Sequence, residues 1–412
     1  MRKQKKKILF QIILLAGMLS ISACSKKTEV AETTRAFFGT TGTTGWASIT
    51  DNGILKHYIQ NGSPFLKYID FATGQEVFLC ATEGCAHTGS SCSASLLPIG
   101  GEKAFFYQGA LYLIGQGEGM NAHSVWKASV DGSGKKELTD CIPGNYMSDL
   151  CLIDNMLYYV DTYYEETTPG EYVMTMDSYG ILAALNLDTL ETEILDTTKG
   201  SFHGGYSYLT ALDGCVYFEK NAFSQDLSSL FSGSGLTSEE TEALKQSVTV
   251  SRQYICYDPK ENDLKPVYET ETSFYETCGA VGFDPELGVL LLDWENRLIW
   301  AKNGEEKVLW EWESSDCKDI WAFQLIDDYA MMMDEEDWLR LIDRNTGALV
   351  VKAELPVDEK TGERHSYQGY YDGKIYFSID PEPYKDTMYL EVEELADKKV
   401  IWHNAVWAEE EP

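Results

Sequence analysis

Three thiols and one imidazole crowd into thirteen positions of this 412-residue chain: Cys80, Cys85, His87 and Cys92, within FLCATEGCAHTGSSCSA (78–94). Soft thiolates with a neutral imidazole are a donor set for tetrahedral zinc. Gly84 and Gly89 stand between the donors, where a chain wrapping an ion must turn sharply. A disulfide is the rival chemistry, favoured by export. Three clustered thiols cannot all pair together, so one would seek a partner among Cys141, Cys151, Cys215, Cys256, Cys278 and Cys317. A redox-active thiol is the third reading. We take structural zinc as the expectation and leave the other two open.

Other chemistry is sparse. The chain has no Gly-x-Ser-x-Gly elbow, His-Glu-x-x-His pair or EF-hand loop, and DGSGKK (131–136) lacks the spacing of a phosphate-binding loop and reads as a hairpin turn. Asp334-Glu335-Glu336-Asp337 carries enough charge for Ca²⁺ but reads as a solvated turn. The five histidines besides His87 read as surface or satisfied core residues. Tyr163-Tyr164 could offer a stacking surface, whereas Trp310 and Trp312, two apart on a strand, point the same way and should pack between sheets. No catalytic residue is assigned.

The elements that must position the cluster begin with an export signal. Residues 1–23 run from five cationic side chains (Arg2, Lys3, Lys5, Lys6, Lys7) through an apolar stretch, Ile8 to Leu19, into Ile21-Ser22-Ala23-Cys24. That ending has the pattern of a bacterial lipobox, which makes Cys24 the lipidated first residue of the mature chain. The apolar core is short of the ~20 residues a membrane span needs. Residues 24–45, polar and rich in Thr and Gly, read as a flexible tether. The expected location is therefore the extracytoplasmic face of the cell membrane, held by lipid alone. Removing residues 1–23 takes away five basic residues and no acid, moving the net charge from −33 to −38. So acidic a surface repels phosphate backbones, which argues against nucleic-acid partners.

The body, 46–405, is built on a recurring phrase: a short apolar lead, a turn of Asp, Asn or Gly, then a Leu/Tyr/Phe-rich strand. Its copies are TDNGILKHYI, YQGALYLI, IDNMLYYV, LDGCVYFE, PELGVLLL, IDDYAMMM and YDGKIYFS, with turn positions 53, 109, 155, 214, 288, 328 and 373. Each is followed by a second hairpin in which alternating apolar residues meet an acidic turn. The spacing of 40 to 74 residues is near that of four-stranded blades. The expected fold is all-β: a β-propeller of seven blades, with six or eight, a sandwich, or two smaller domains as alternatives. A short helix at 237–246 opens with a Thr237/Glu240 capping box, and 161–180 lengthens one hairpin. WASIT (46–50) is expected beside the last blade to close the ring, and 406–412 forms an acidic tail. The Asp-x-x-Thr-Gly turns at Asp70 and Asp343 resemble those of quinoprotein-like propeller repeats, as structural turns that imply no quinone.

Taken together, the lipobox, the tether, the strands of DGxIYF type and above all Leu79 to Ala94 resemble propeller lipoproteins of anaerobic Gram-positive bacteria. In that group a Leu-Cys…Cys-x-His…Cys-x-Ala stretch follows the first outer hairpin. The resemblance implies fold and location and brings no established activity. The functional expectation is a binding or scaffold module for a peptide, glycan or protein, and the alternative is an enzyme acting on a glycan or peptide in the central channel.

Overall fold

A computed structural model describes residues 47–404 apart from 51–52, 61, 71–75, 100–102, 120, 146, 167–175, 199–203, 228–229, 231–235, 277, 313–319, 335–337, 358–361, 363, 372 and 379–387. The signal, Cys24, the tether and the acidic tail lie outside the described residues, as do His203, Cys317 and Glu335 to Asp337. No helix among the described residues is long and apolar enough to cross a membrane.

Among the described residues every strand belongs to one of seven four-stranded antiparallel sheets, each made of four strands consecutive in the chain. The sheets span 47–78, 103–143, 149–197, 204–273, 279–311, 320–354 and 366–404, and are called here sheets 1 to 7. Each recurring phrase forms the first hairpin of a sheet, and in sheets 1 to 6 each second phrase supplies the third and fourth strands; in sheet 7 the helix Val392–Ala396 follows the third strand and the fourth is His403–Asn404. The first strands of sheets 1 and 2, and those of sheets 3 to 6 in turn, lie beside one another, which puts them on the inner side. This is the architecture of a β-propeller.

The apolar runs follow from burial on both faces. In sheet 6 the second strand, Tyr329–Asp334, sends Met331 and Met333 into a cluster shared with sheet 7, and Ala330 and Met332 into one shared with sheet 5. A strand packed on both sides has no polar face to show, which is why YAMMMD does not alternate. Four further boundaries between successive sheets, from sheet 1 to sheet 5, are filled in the same way. Outer strands alternate instead: Leu349–Glu354 buries Val351 and Ala353 and exposes its other positions more.

The turns lock neighbouring sheets together. Asp343 Oδ1 accepts from the backbone N–H groups of Asn345 (3.0 Å) and Thr346 (2.7 Å), closing the Asp-x-x-Thr-Gly turn as expected. Gly347, at φ +74°, brings its Cα so near sheet 5 that a Cβ would stand 1.8 Å from the Leu309 carbonyl oxygen. The companion turn at Asp70 falls in 71–75, outside the described residues.

The helix Ser238–Ser247 carries the expected capping box: Thr237 Oγ1 accepts from Glu240 N (3.2 Å) and Glu240 Oε2 accepts from Thr237 N (2.8 Å). The lengthened hairpin pairs Met156–Glu166 with Met176–Asn186. Two expectations are corrected. Residues 47–50 pair with the second strand of their own sheet, Ala47 opposite Lys56 through Thr50 opposite Gly53, while sheet 7 is completed by His403–Asn404. Two residues separate Thr50 from Gly53, so the local hairpin costs far less loop-closure entropy than a seat beside a sheet more than three hundred residues away. Asp334 does not sit in a solvated turn. It is 1% exposed and ion-paired with Arg340, because it ends a strand that is buried on both faces.

Candidate metal centre

The cysteine loop is an excursion from the outer edge of sheet 1. Glu76–Phe78 pairs with Lys67 to Ile69 of the third strand. Sixteen residues after Phe78 the chain returns to the same strand, where Leu66 N donates to Ala94 O (2.8 Å) and Leu96 N donates to Pro64 O (2.9 Å). Leu79, Ala94 and Leu96 are buried and anchor both ends of the excursion in the core between sheets 1 and 2. A loop pinned so closely at both ends has little freedom left to spread its donors.

Those four donors converge. One ligand atom from each of Cys80, Cys85, His87 and Cys92 lies within 4.8 Å of all the others. Cys92 Sγ is 3.5 Å from His87 Nδ1. Around a tetrahedral zinc, Zn–S bonds of about 2.3 Å and a Zn–N bond of about 2.0–2.1 Å place sulfur and nitrogen about 3.6 Å apart. The set therefore fits the ion. Positive φ at Gly84 (69°), His87 (50°) and Gly89 (76°) turns the chain between donors. The His87 ring stacks on Phe78, with centroids 4.2 Å apart and planes 12° apart, and Lys67 Nζ lies 4.7 Å from the Phe78 centroid. None of the eight described cysteines is joined in a disulfide.

The thiols differ in acidity. Burial opposes ionisation of Cys80, but hydrogen bonds from the Ser93 hydroxyl, from Thr82 and from the Cys92 thiol outweigh it and bring Cys80 down to about 5. Cys92 is pushed up to about 11 by burial, and the neighbouring Cys80 and Cys85 add to the rise.

DGSGKK, expected to be only a hairpin turn, is the loop's seat. It links the outer strands of sheet 2, and Ser93 Oγ donates to the Asp131 carbonyl (3.2 Å). Gly132, at φ +75°, approaches so closely that a Cβ would stand 2.5 Å from Ser93 O and 2.7 Å from Leu79 O. Lys135 Nζ donates to the carbonyls of Ser93 and Gly132.

Sequence reasoning missed a second set of residues. Asp161, Glu219, Asp293 and Asp334 each end the apolar run of a second strand, in sheets 3 to 6, and each is buried. Their partners are His123 (2.7 Å), Arg252 (3.7 Å), Arg297 (2.6 Å) and Arg340. Several cross a sheet boundary: His123 belongs to sheet 2, Glu219 accepts from Ala280 N of sheet 5 (3.4 Å), and Arg340 lies 5.4 Å from the Trp312 ring of sheet 5. The signal was available, since YYVD, VYFE, LLLD and MMMD all place an acid five or six residues after the turn position. On the last sheet Glu391, Glu394 and His403 also bring donor atoms within 4.8 Å, with His403 Nε2 2.7 Å from Glu394 and its ring stacked on Tyr389.

Side chains of five sheets are linked pairwise by electrostatic reach. His57 and Asp149 both feel the charge of Lys103, Asp149 acts on Tyr208, and Tyr208 on Tyr367. Burial lowers His57 to about 4, with Lys103 adding to the effect. Burial raises Asp149 to about 6, against the pull of Lys103 and of the Leu209 and Tyr208 backbone. Lys103 Nζ donates to Ser148 O (3.1 Å) and Tyr208 to Val281 O (2.8 Å). Trp310 and Trp312, in edge contact at 3.9 Å, belong to the core between sheets 5 and 6 as expected, and Tyr163 stacks on Tyr179 beside the core between sheets 2 and 3.

No protein-family profile and no curated protein matches the chain. Similar solved structures include the β-propeller domain of the Trilobed protease from Pyrococcus furiosus, with 9% identity, TM-score 0.45, and coverage of 92% of this chain and 99% of that one. BamB from Moraxella catarrhalis shares 12% identity with TM-score 0.39, covering 85% of this chain and 89% of that one. The computationally designed protein Ika8 shares 11% identity with TM-score 0.41, covering 84% of this chain and 96% of that one. The class rests on the chain's own seven sheets: a β-propeller bearing a Cys3His cluster on its outer rim.

Proposed function

We propose that the protein is an extracytoplasmic lipoprotein, anchored through Cys24, whose seven sheets close as the blades of one ring and serve as a binding or scaffold module, with a structural zinc ion in the Cys80, Cys85, His87, Cys92 loop. One observation carries the metal assignment: four donors of zinc-compatible type lie within 4.8 Å of one another, in a loop tied at both ends to a single strand. Six consecutive sheet boundaries filled by apolar clusters, together with the electrostatic reach between Tyr208 of sheet 4 and Tyr367 of sheet 7, support the ring. The acidic composition and the exposed Trp294 (53%) favour a peptide, glycan or protein ligand over nucleic acid.

Elemental analysis paired with thiol counting under denaturing, non-reducing conditions tests the metal. About one zinc per chain and free thiols at 80, 85 and 92 are expected. Metal-free protein with those cysteines oxidised would sink the assignment. For the anchor, Cys24→Ala should move the protein out of the detergent phase, and unchanged partitioning would refute it.

A second reading, catalysis on a glycan or peptide in the channel, is favoured by the electrostatic reach that links Lys103, Asp149, Tyr208 and Tyr367, side chains of four different sheets. Hydrolysis of a peptide or glycan library that Asp149→Asn abolishes would favour it over binding alone.

A further inference from the structure

We propose that Lys135 is a positioning residue of the metal centre: its ammonium balances the charge of the metal complex and fastens the cysteine loop of sheet 1 to sheet 2. The inference rests on the metal reading above. Three thiolates and a neutral imidazole around a divalent ion leave one net negative charge. Cys92 is only 4% exposed and packs with Leu79, Ala94 and Leu96, so that charge sits where water cannot fully solvate it. A cation beside the sulfurs relieves the cost.

Lys135 occupies that place. Its Nζ donates to the carbonyl of Ser93, the residue after Cys92, and to that of Gly132 (3.0 Å), and it lies within electrostatic reach of both Cys80 and Cys92. Its approach is built into the fold by the close backbone contacts of Gly132 with Ser93 O and Leu79 O, which admit no Cβ. Asp131, on the same turn, also lies within electrostatic reach of the ammonium, and its Oδ1 accepts from Ser133 N (3.0 Å) and Ser133 Oγ (2.6 Å). The ammonium is fixed by two carbonyls, one in the cysteine loop and one in the turn that faces it. A divalent ion held here joins two blades, and Lys135 is the contact through which the second blade stabilises it.

The test measures zinc transfer from the full-length protein to a chromophoric chelator, for wild type, Lys135→Met and Lys135→Arg. Substituting a residue that supports the ligands from outside commonly weakens metal retention about 10–100-fold. Lys135→Met should release zinc at least about tenfold faster, and Lys135→Arg, which keeps the charge and can donate to the same carbonyls, should restore most of the retention. Hydrogen exchange at 126–137 should rise on metal removal in the wild type. Wild-type release from Lys135→Met, or equal acceleration by Met and Arg, would overturn the role of Lys135 while leaving the metal site standing. Wild-type protein that holds no zinc would sink the metal reading and this inference with it.

Discussion

Replacing Arg340 by Met removes the guanidinium from a carboxylate enclosed between three sheets. Asp334 and Arg340 are 1% and 3% exposed, so neither charge has water to fall back on. Asp334 Oδ1 also accepts from Trp338 N (3.0 Å), but a neutral donor does not replace a counter-ion. Breaking one side of a buried pair costs about 3–5 kcal/mol. Loss of the contact with the Trp312 ring, 5.4 Å from the guanidinium carbon, adds about 1–2 kcal/mol. A total of about 4–7 kcal/mol is a large part of the about 5–15 kcal/mol that holds a typical protein folded. The double substitution Asp334→Leu with Arg340→Met deletes both charges at similar volume and should lie within about 2 kcal/mol of wild type. Urea unfolding followed by tryptophan fluorescence measures all three proteins. An Arg340→Met variant within about 1 kcal/mol of wild type, or a double variant as unstable as the single, would refute the reasoning.

Three further outcomes are expected. Asp149, raised from 3.8 to about 6, keeps a proton in the folded chain that the unfolded chain releases, so its contribution to stability falls as pH rises from about 4 to 6; His57, lowered from 6.5 to about 4, contributes in the opposite sense over nearly the same range. Each slope is about 1.4 kcal/mol per pH unit and the two offset, so relative to wild type Asp149→Asn should make stability rise with pH and His57→Gln should make it fall; parallel urea midpoints at pH 4, 5 and 6 would contradict this. Gly347→Ala should cost more than Gly304→Ala, because both sit at positive φ (+74° and +81°) but only the first would drive a Cβ into Leu309 O, and equal losses in thermal unfolding would remove the sheet-locking role. Thr237→Ala should weaken the helix Ser238–Ser247 by about 1 kcal/mol, seen as faster amide exchange there; since that helix buries no side chain, the global unfolding midpoint should hold, and a shifted midpoint would show it to be integral to the core.

The residues themselves determined whatever depends on neighbours along the chain. Turn positions 53, 109, 155, 214, 288, 328 and 373 mark seven first hairpins because a tight turn and its flanking strands are written within about ten residues. The Thr237/Glu240 box was legible for the same reason, and so were the four donors from Cys80 to Cys92, which lie close in sequence before they lie close in space. The tertiary structure alone decided what depends on which distant strand comes alongside. The acids ending YYVD and MMMD are visible in the text, but His123 reaches Asp161 only because sheets 2 and 3 stack, and Asp334 is buried only because sheets 5 and 7 cover both faces of its strand. The return of Ala94 and Leu96 to the strand that Glu76–Phe78 had just left, and the docking of Gly132 and Lys135 beneath the loop, are likewise choices of packing. The physical reason is range. Backbone propensity and turn chemistry act over a few residues, whereas burial, ion pairing and ligand convergence are set by surfaces that meet only after the sheets have formed.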